Sequence, residues 1–177
     1  PTRVRIQGVH SILEKGDSLL WVGSGSSLLK IAIQSHNNDV SIKNIRPYHF
    51  HIPNKVQYNQ IYSICAENDS ILWIGMRGNG LIRLNTITEN YRLINFTEKD
   101  GIVPMNDILC IHQDRNHQFW LGTSYGLTKI TILPDGEIEY KNYSENEGLP
   151  NNTIHGILED DLGNLWLSSN TGIILFN

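Results

Sequence analysis

Four tryptophans, Trp21, Trp73, Trp120 and Trp166, recur at separations of 52, 47 and 46 residues. Each stands in the same short phrase: "DSLLWVGSG", "DSILWIGMR", "HQFWLGTSY" and "GNLWLSSNT". A self-similar period of about forty to fifty residues is the signature of stacked repeat units, and it constrains the fold before any other motif does. Around each Trp the pattern extends further. Isoleucine stands nine residues before it every time (Ile12, Ile64, Ile111, Ile157), and a β-branched residue twelve before it (Val9, Ile61, Ile108, Ile154). Two residues after it come Gly23, Gly75 and Gly122, then Ser168.

The runs are short, rich in β-branched and aromatic residues, and bounded by Gly, Asn, Asp and Ser, which reads as strands joined by turns. No apolar stripe of helical period and length appears. Each unit reads as four strands, a to d, in the manner of "YSICAE" (62 to 67), "ILWIG" (71 to 75), "GLIRL" (80 to 84) and "NYRLINF" (90 to 96). Tight polar turns such as "END" and "DDLGN" join strands a and b, as antiparallel hairpins require. Strands a and b are apolar at adjacent positions, so both faces of each sheet need cover. Radial stacking of sheets supplies it, and the expected fold is all-β: a β-propeller segment of about four blades, each a four-stranded antiparallel sheet. The expected units are 9–46, 60–96, 107–143 and 153–177, the last without strand d. Residues 1–8 read either as strand d of a preceding blade or as a ring-closing strand. The absent initiator Met points to a piece of a larger propeller. The tryptophans read as packing between blades, each burying on the order of 200 Å², and the small residue after them as room for a neighbour's side chain.

Charge and cysteine content remove several partners. A formal charge of −4 offers no basic face to nucleic acid. No run approaches the ~18 apolar residues of a membrane-spanning helix, so no membrane contact is expected of this segment. Cys65 and Cys110 are too few for a disulfide framework or a metal site and read as buried thiols on strands. "HFH", with His49 and His51, has no second ligand cluster at a metal-like spacing. Neither metal nor cofactor is expected.

A second phrase repeats between units: "FTEKDGIVPMNDI" (96 to 108) and "YSENEGLPNNTI" (143 to 154). Together with "IHGILEDDLGNLWLSSNTGI" (154 to 173) and "ILCIHQDRNHQFWLGTSYGL" (108 to 127), it resembles the two-component regulator propeller repeat. The resemblance covers essentially the whole chain in four copies. It implies the periplasmic sensor region of a hybrid two-component histidine kinase, non-catalytic itself and responding to a carbohydrate, with any kinase activity in polypeptide outside this segment. The first copy departs from the pattern: Lys15 stands where the others have Glu67, Asp114 and Asp160, and residues 40 to 60 lack the Gly-aliphatic-Pro phrase.

Alternate strand ends share a side, so the b–c loops ("SGSS", "MRGNG", "TSY", "SNT") and the d–a connectors collect on one rim. The connectors contribute Tyr48, His49, His51, Tyr58 and Asn106. Aromatic faces stack on sugar rings and guanidinium groups bond them in pairs, which makes Arg77, Tyr125, Tyr48 and His49 the candidate ligand residues. An oligosaccharide is the expected ligand, and further blades or a second copy of the chain are the expected protein contacts. Two other classes remain. A propeller enzyme, quinoprotein- or lyase-like, is raised by the Asp160, Gly163, Trp166 spacing, although Asp and Gly also suit a hairpin turn. An interaction scaffold of the WD or Kelch sort lacks its signatures, since no Trp is followed by Asp and no Gly-Gly pair occurs.

Overall fold

The computed structural model describes residues 6–36, 39–52, 60–96 and 106–177. They form four antiparallel sheets, each with its strands in chain order. The first holds β1 (Val9–Glu14), β2 (Leu19–Ser24), β3 (Ser27–His36) and β4 (Asp39–His49). The second holds β5 (Gln60–Ala66), β6 (Ile71–Arg77), β7 (Gly80–Asn85) and β8 (Tyr91–Ile94). The third holds β9 (Ile108–Gln113), β10 (Phe119–Thr123), β11 (Gly126–Ile132) and β12 (Ile138–Tyr143). The fourth has three strands, β13 (Ile154–Glu159), β14 (Leu165–Ser169) and β15 (Gly172–Phe176). Strand β4 runs beyond the expected unit end at 46, because Pro47, Tyr48 and His49 still pair with Leu29, Leu28 and Ser27. The expected additional strand at residues 1–8 falls largely outside the described residues, as does Tyr58.

Side chains alternate across a strand, so each sheet has two faces. One carries the Trp and the other the Ile at the minus-nine position. Three junctions follow, each laying the Trp face of one sheet on the Ile face of the next. Trp21 and Leu28 pack with Ile61, Ile74 and Leu84. Trp73 and Leu81 pack with Ile108, Leu121 and Ile130, and Trp120 and Leu127 with Ile154, Leu167 and Ile174. The innermost strands β1, β5, β9 and β13 touch in succession and so run nearest the common axis. The glycine after each Trp sets how close the sheets come. A Cβ on Gly23 would stand 2.6 Å from Ile61 Cγ2, and one on Gly75 2.6 Å from Ile108 Cγ2. At Gly122 that space is taken by Cys110 Sγ of the same sheet and by Ile154 of the next.

An acid completes three of the four indoles. Glu67 Oε2 accepts from Trp73 Nε1 at 2.8 Å, and Asp114 Oδ2 and Asp160 Oδ2 accept from Trp120 and Trp166 at 2.9 Å. Asp160 also uses Oδ1 to accept from the backbone of Leu162 and Asn164, and Asp114 does the same for Asn116 and Gln118. The Asp-x-x-Gly-x-x-Trp spacing is therefore met by a hairpin turn that caps itself and anchors an indole. Lys15 breaks the pattern, and the buried Trp21 Nε1 has no acceptor among the described residues.

Cations tie each sheet to the next one along the chain. Lys15 donates to the Asn68 and Asp69 carbonyls. Arg46 reaches Glu89 at 2.7 Å and Arg92 reaches Glu137 at 3.2 Å. Arg115 reaches Glu159 at 2.7 Å and the carbonyls of Asp160 and Asp161. Every one of these ends on an a–b or c–d turn, hence on a single rim.

Trp21 and Trp73 are 1% exposed and Trp120 8%, as packing between blades requires, whereas Trp166 is 40% exposed. The expectation of burial fails there because no following sheet covers the fourth one among the described residues. Ile12 is likewise exposed on the first sheet, while Ile64, Ile111 and Ile157 pack into the junctions.

Candidate functional site

All four innermost strands carry a register shift at the same place. The ladder pairs Val9 and Ser11 but skips His10, and in the other sheets it skips Tyr62, Leu109 and His155. A bulge leaves one residue unpaired and re-aims its side chain, and bulges concentrate next to functional sites. Four successive units thus turn one side chain each off the ladder, close to the axis, on the rim opposite the cationic ties. The b–c loops close over the same rim.

The bulged residues are joined to those loops. The His10 and Tyr62 rings lie 4.5 Å apart. Arg77 Nη1 donates to the Tyr62 hydroxyl at 3.1 Å, its guanidinium 5.7 Å from the Tyr62 ring centroid. Arg77 Nε stands 3.8 Å from Asp107 Oδ1, and Ser124 Oγ donates to Asp107 Oδ2 at 2.5 Å. In the fourth unit His155 Nε2 and Asn170 Oδ1 are 2.7 Å apart. The rim is thus a polar arc across four units, with an aromatic face, a guanidinium and a carboxylate at its centre. Asp107 Oδ1 is buried and has no hydrogen-bond partner among the described residues. Its nearest cation is the Arg77 guanidinium, at ion-pair rather than hydrogen-bond distance.

Of the four candidate ligand residues, Arg77 stands at the centre of this arc and Tyr125 at its edge. Tyr125 is exposed in the loop directly after Ser124, its carbonyl accepting from Asn142. Tyr48 and His49 are placed elsewhere, on the outermost strand β4. Tyr48 is buried against Trp21 with ring centroids 5.5 Å apart, its hydroxyl donating to Glu89. Its phenol is pushed up from its ordinary pKa, first of all by burial. This corrects the loop reading: Tyr48 is a packing residue because it still pairs in the sheet, opposite Leu28. His49 sits beside Ser27 Oγ, its Nδ1 3.2 Å away. Sequence reading missed His10, Tyr62, Asp107 and His155. Three of them, with Leu109, occupy the same repeat position, eleven residues before the Trp, but the bulge that sets it apart lies in the strand pairing and not in the repeat pattern.

Comparisons with known proteins agree with this architecture. The family model described as two component regulator propeller matches residues 103–125 and 148–171. Histidine kinase P4 of Formosa agariphila is 28% identical over 91% of this chain and 15% of its own length. The extracellular domain assigned to hybrid two component system BT3049 of B. thetaiotaomicron is 28% identical with a TM-score of 0.69, covering 93% of this chain and 21% of that one. The chain therefore spans about a fifth or less of either relative. Virginiamycin B lyase from Staphylococcus aureus, at 18% identity and a TM-score of 0.61 over 95% of this chain and 55% of its own, shares the fold alone. Residues 103–125 and 148–171 thus match the two-component regulator propeller repeat, and the chain as a whole is similar to part of the extracellular domain of a hybrid two-component system.

Proposed function

We propose that this chain is part of the periplasmic sensor propeller of a two-component regulatory system, and that its bulge-lined rim binds a carbohydrate without chemically altering it. The observation that carries the reading is the Tyr62–Arg77–Asp107 cluster, where an aromatic face, a fixed guanidinium and a carboxylate converge on one rim. A sugar ring supplies an apolar face to stack on Tyr62 and hydroxyls to donate to Asp107. The inter-sheet contacts then couple occupancy of the rim to the spacing of the blades. Kinase output belongs to polypeptide beyond this segment.

Isothermal titration of the 177-residue chain against a panel of neutral and uronate-containing oligosaccharides tests the reading. Binding to one class, abolished by Tyr62→Ala and Asp107→Ala and unaffected by His49→Ala, supports it. Binding that survives both rim variants moves the site elsewhere. Release of a cleaved or dehydrated product overturns the non-catalytic role and favours a lyase-like activity.

A further inference from the structure

The first sheet departs from its neighbours beneath its indole. In the second and third sheets an indole N–H, an acid six residues before it and a cation on the third strand come together: Trp73 with Glu67 and Arg83, Trp120 with Asp114 and Lys129. The first sheet keeps the indole and the cation. Trp21 pairs with Lys30 in the ladder as Trp73 pairs with Arg83. Lys30 Nζ stands 5.4 Å from the Trp21 ring, and the Arg83 guanidinium 5.7 Å from the Trp73 ring. The acid, however, is replaced by Lys15. Its backbone place is unchanged, because Lys15 N donates to Leu19 O at 2.8 Å just as Glu67 N donates to Ile71 O at 2.9 Å. One anion and one cation at each of the other two indoles thus become two ammonium groups beside Trp21. Trp21 is 1% exposed, and its buried Nε1 has no acceptor among the described residues. Lys30 has no hydrogen-bond or ion-pair partner among them either. Lys15 turns to the carbonyls of Asn68 and Asp69 and lies 3.9 Å from the Asp69 carboxylate, which is fully exposed. Glu89, the carboxylate that reaches this sheet from the second, is taken by Arg46 at 2.7 Å and by the Tyr48 hydroxyl at 3.2 Å.

We infer that the junction of the first and second sheets binds a small monovalent anion, of carboxylate or halide size, on the Trp21 indole N–H between Lys30 and Lys15. The second sheet shows the chemistry that this place selects. There one carboxylate accepts from the indole at 2.8 Å and from the paired arginine twice at 2.7 Å. In the first sheet the chain supplies the donors and the positive charge without the acid, so the acceptor comes from solution. A buried N–H without an acceptor costs about 1–3 kcal/mol, and an anion relieves that cost with a charge-assisted hydrogen bond. Burial of Nε1 limits the ligand to a few atoms. The site is separate from the rim of His10 and Tyr62, since Lys15 stands at the a–b turn on the opposite side.

The indole N–H resonances of the nitrogen-15-labelled chain test the inference, the Trp21 signal being the one absent from Trp21→Phe. Ionic strength is held constant with sodium gluconate, whose anion is too large for an enclosed donor, and gluconate is exchanged stepwise for chloride or formate. The Trp21 signal should move along a saturating curve. Those of Trp73, Trp120 and Trp166 should stay, because each of these N–H groups already has an acid. Saturation by formate alone identifies a carboxylate site and saturation by chloride alone a halide site, and either supports the inference. Lys30→Gln should weaken binding about tenfold, as loss of one charged contact would. Lys15→Glu gives the first sheet the acid of the others and should abolish the response. Three outcomes overturn the inference: a Trp21 signal indifferent to both anions, a linear drift shared by all four indoles, or a saturating response that persists undiminished in Lys15→Glu. The titration of the parent chain decides the matter even where a variant fails to fold.

Discussion

Replacing Glu67 with Ala tests the claim that the acid beneath an indole strengthens its junction. Trp73 is 1% exposed, and its Nε1 has Glu67 Oε2 at 2.8 Å. The same carboxylate takes Arg83 in a two-pronged pair, Nε at 2.7 Å and Nη2 at 2.7 Å. Glu67→Ala leaves a buried indole N–H without an acceptor, at a cost of about 1–3 kcal/mol. It also removes an ion pair whose arginine side chain is 35% exposed. Solvent screening discounts that loss to the order of 1 kcal/mol. The expected destabilisation is about 2–4 kcal/mol, read as a lowered urea midpoint at constant slope. Glu67→Gln keeps one acceptor for the indole, loses the charge and the second acceptor for Arg83, and should fall about halfway. A Glu67→Ala protein within about 0.5 kcal/mol of the parent, the range of ordinary surface substitutions, would refute the reasoning. So would a Gln variant as damaged as the Ala one.

Three further outcomes are expected. Gly75→Ala places a methyl 2.6 Å from Ile108 Cγ2 between two packed sheets, and urea unfolding should report a loss of about 1–3 kcal/mol from overpacking. Gly156→Ala, whose Cβ meets only Ser168 Oγ, should lose less. Burial pushes the Cys65 thiol up to about 11 and the Cys110 thiol to about 12. Mass spectrometry should therefore find neither alkylated by iodoacetamide near pH 8 in the folded chain, and both in denaturant, because only the thiolate reacts. Hydrogen bonds from Asn164 and then Trp166 hold the Asp160 carboxyl down to about 2, against 3.8 for the free group. A pKa lower in the folded state gives stability that is fully present above 3.8 and is lost as pH falls towards 2. Asp160→Asn should flatten that part of the curve of urea midpoint against pH.

The repeat made the sheets legible because it is written in large apolar residues whose spacing mirrors strand and turn lengths. Trp, Ile and Gly at fixed offsets placed each junction, and the structure sets Gly75 against Ile108 as that pattern requires. The rim was harder to read. Tyr48 follows Pro47 in a polar stretch and reads as loop, yet it continues a long edge strand, where pairing with Leu28 outweighs local turn propensity. Tyr62 and His155 looked like ordinary strand residues, because a bulge is a property of the pairing between two strands and leaves no mark on either alone. Asp107 sits at the end of a connector, and its approach to Arg77 depends on how adjacent sheets are rotated, which no local pattern encodes.

The cations that tie neighbouring sheets, Lys15, Arg46, Arg92 and Arg115, all reach forward along the chain and all end on one rim. The tight isoleucine-on-glycine contacts lie nearer the axis. Ions in solution weaken the first set and leave the second untouched. Raising ionic strength should therefore slacken the circumference more on that side, since the opposite rim carries Arg77–Asp107 among such ties, so that the arc changes its curvature before any blade parts from its neighbour. A load placed on the opposite mouth would act through the same pivot, like a hand closing on the spine side of a fan.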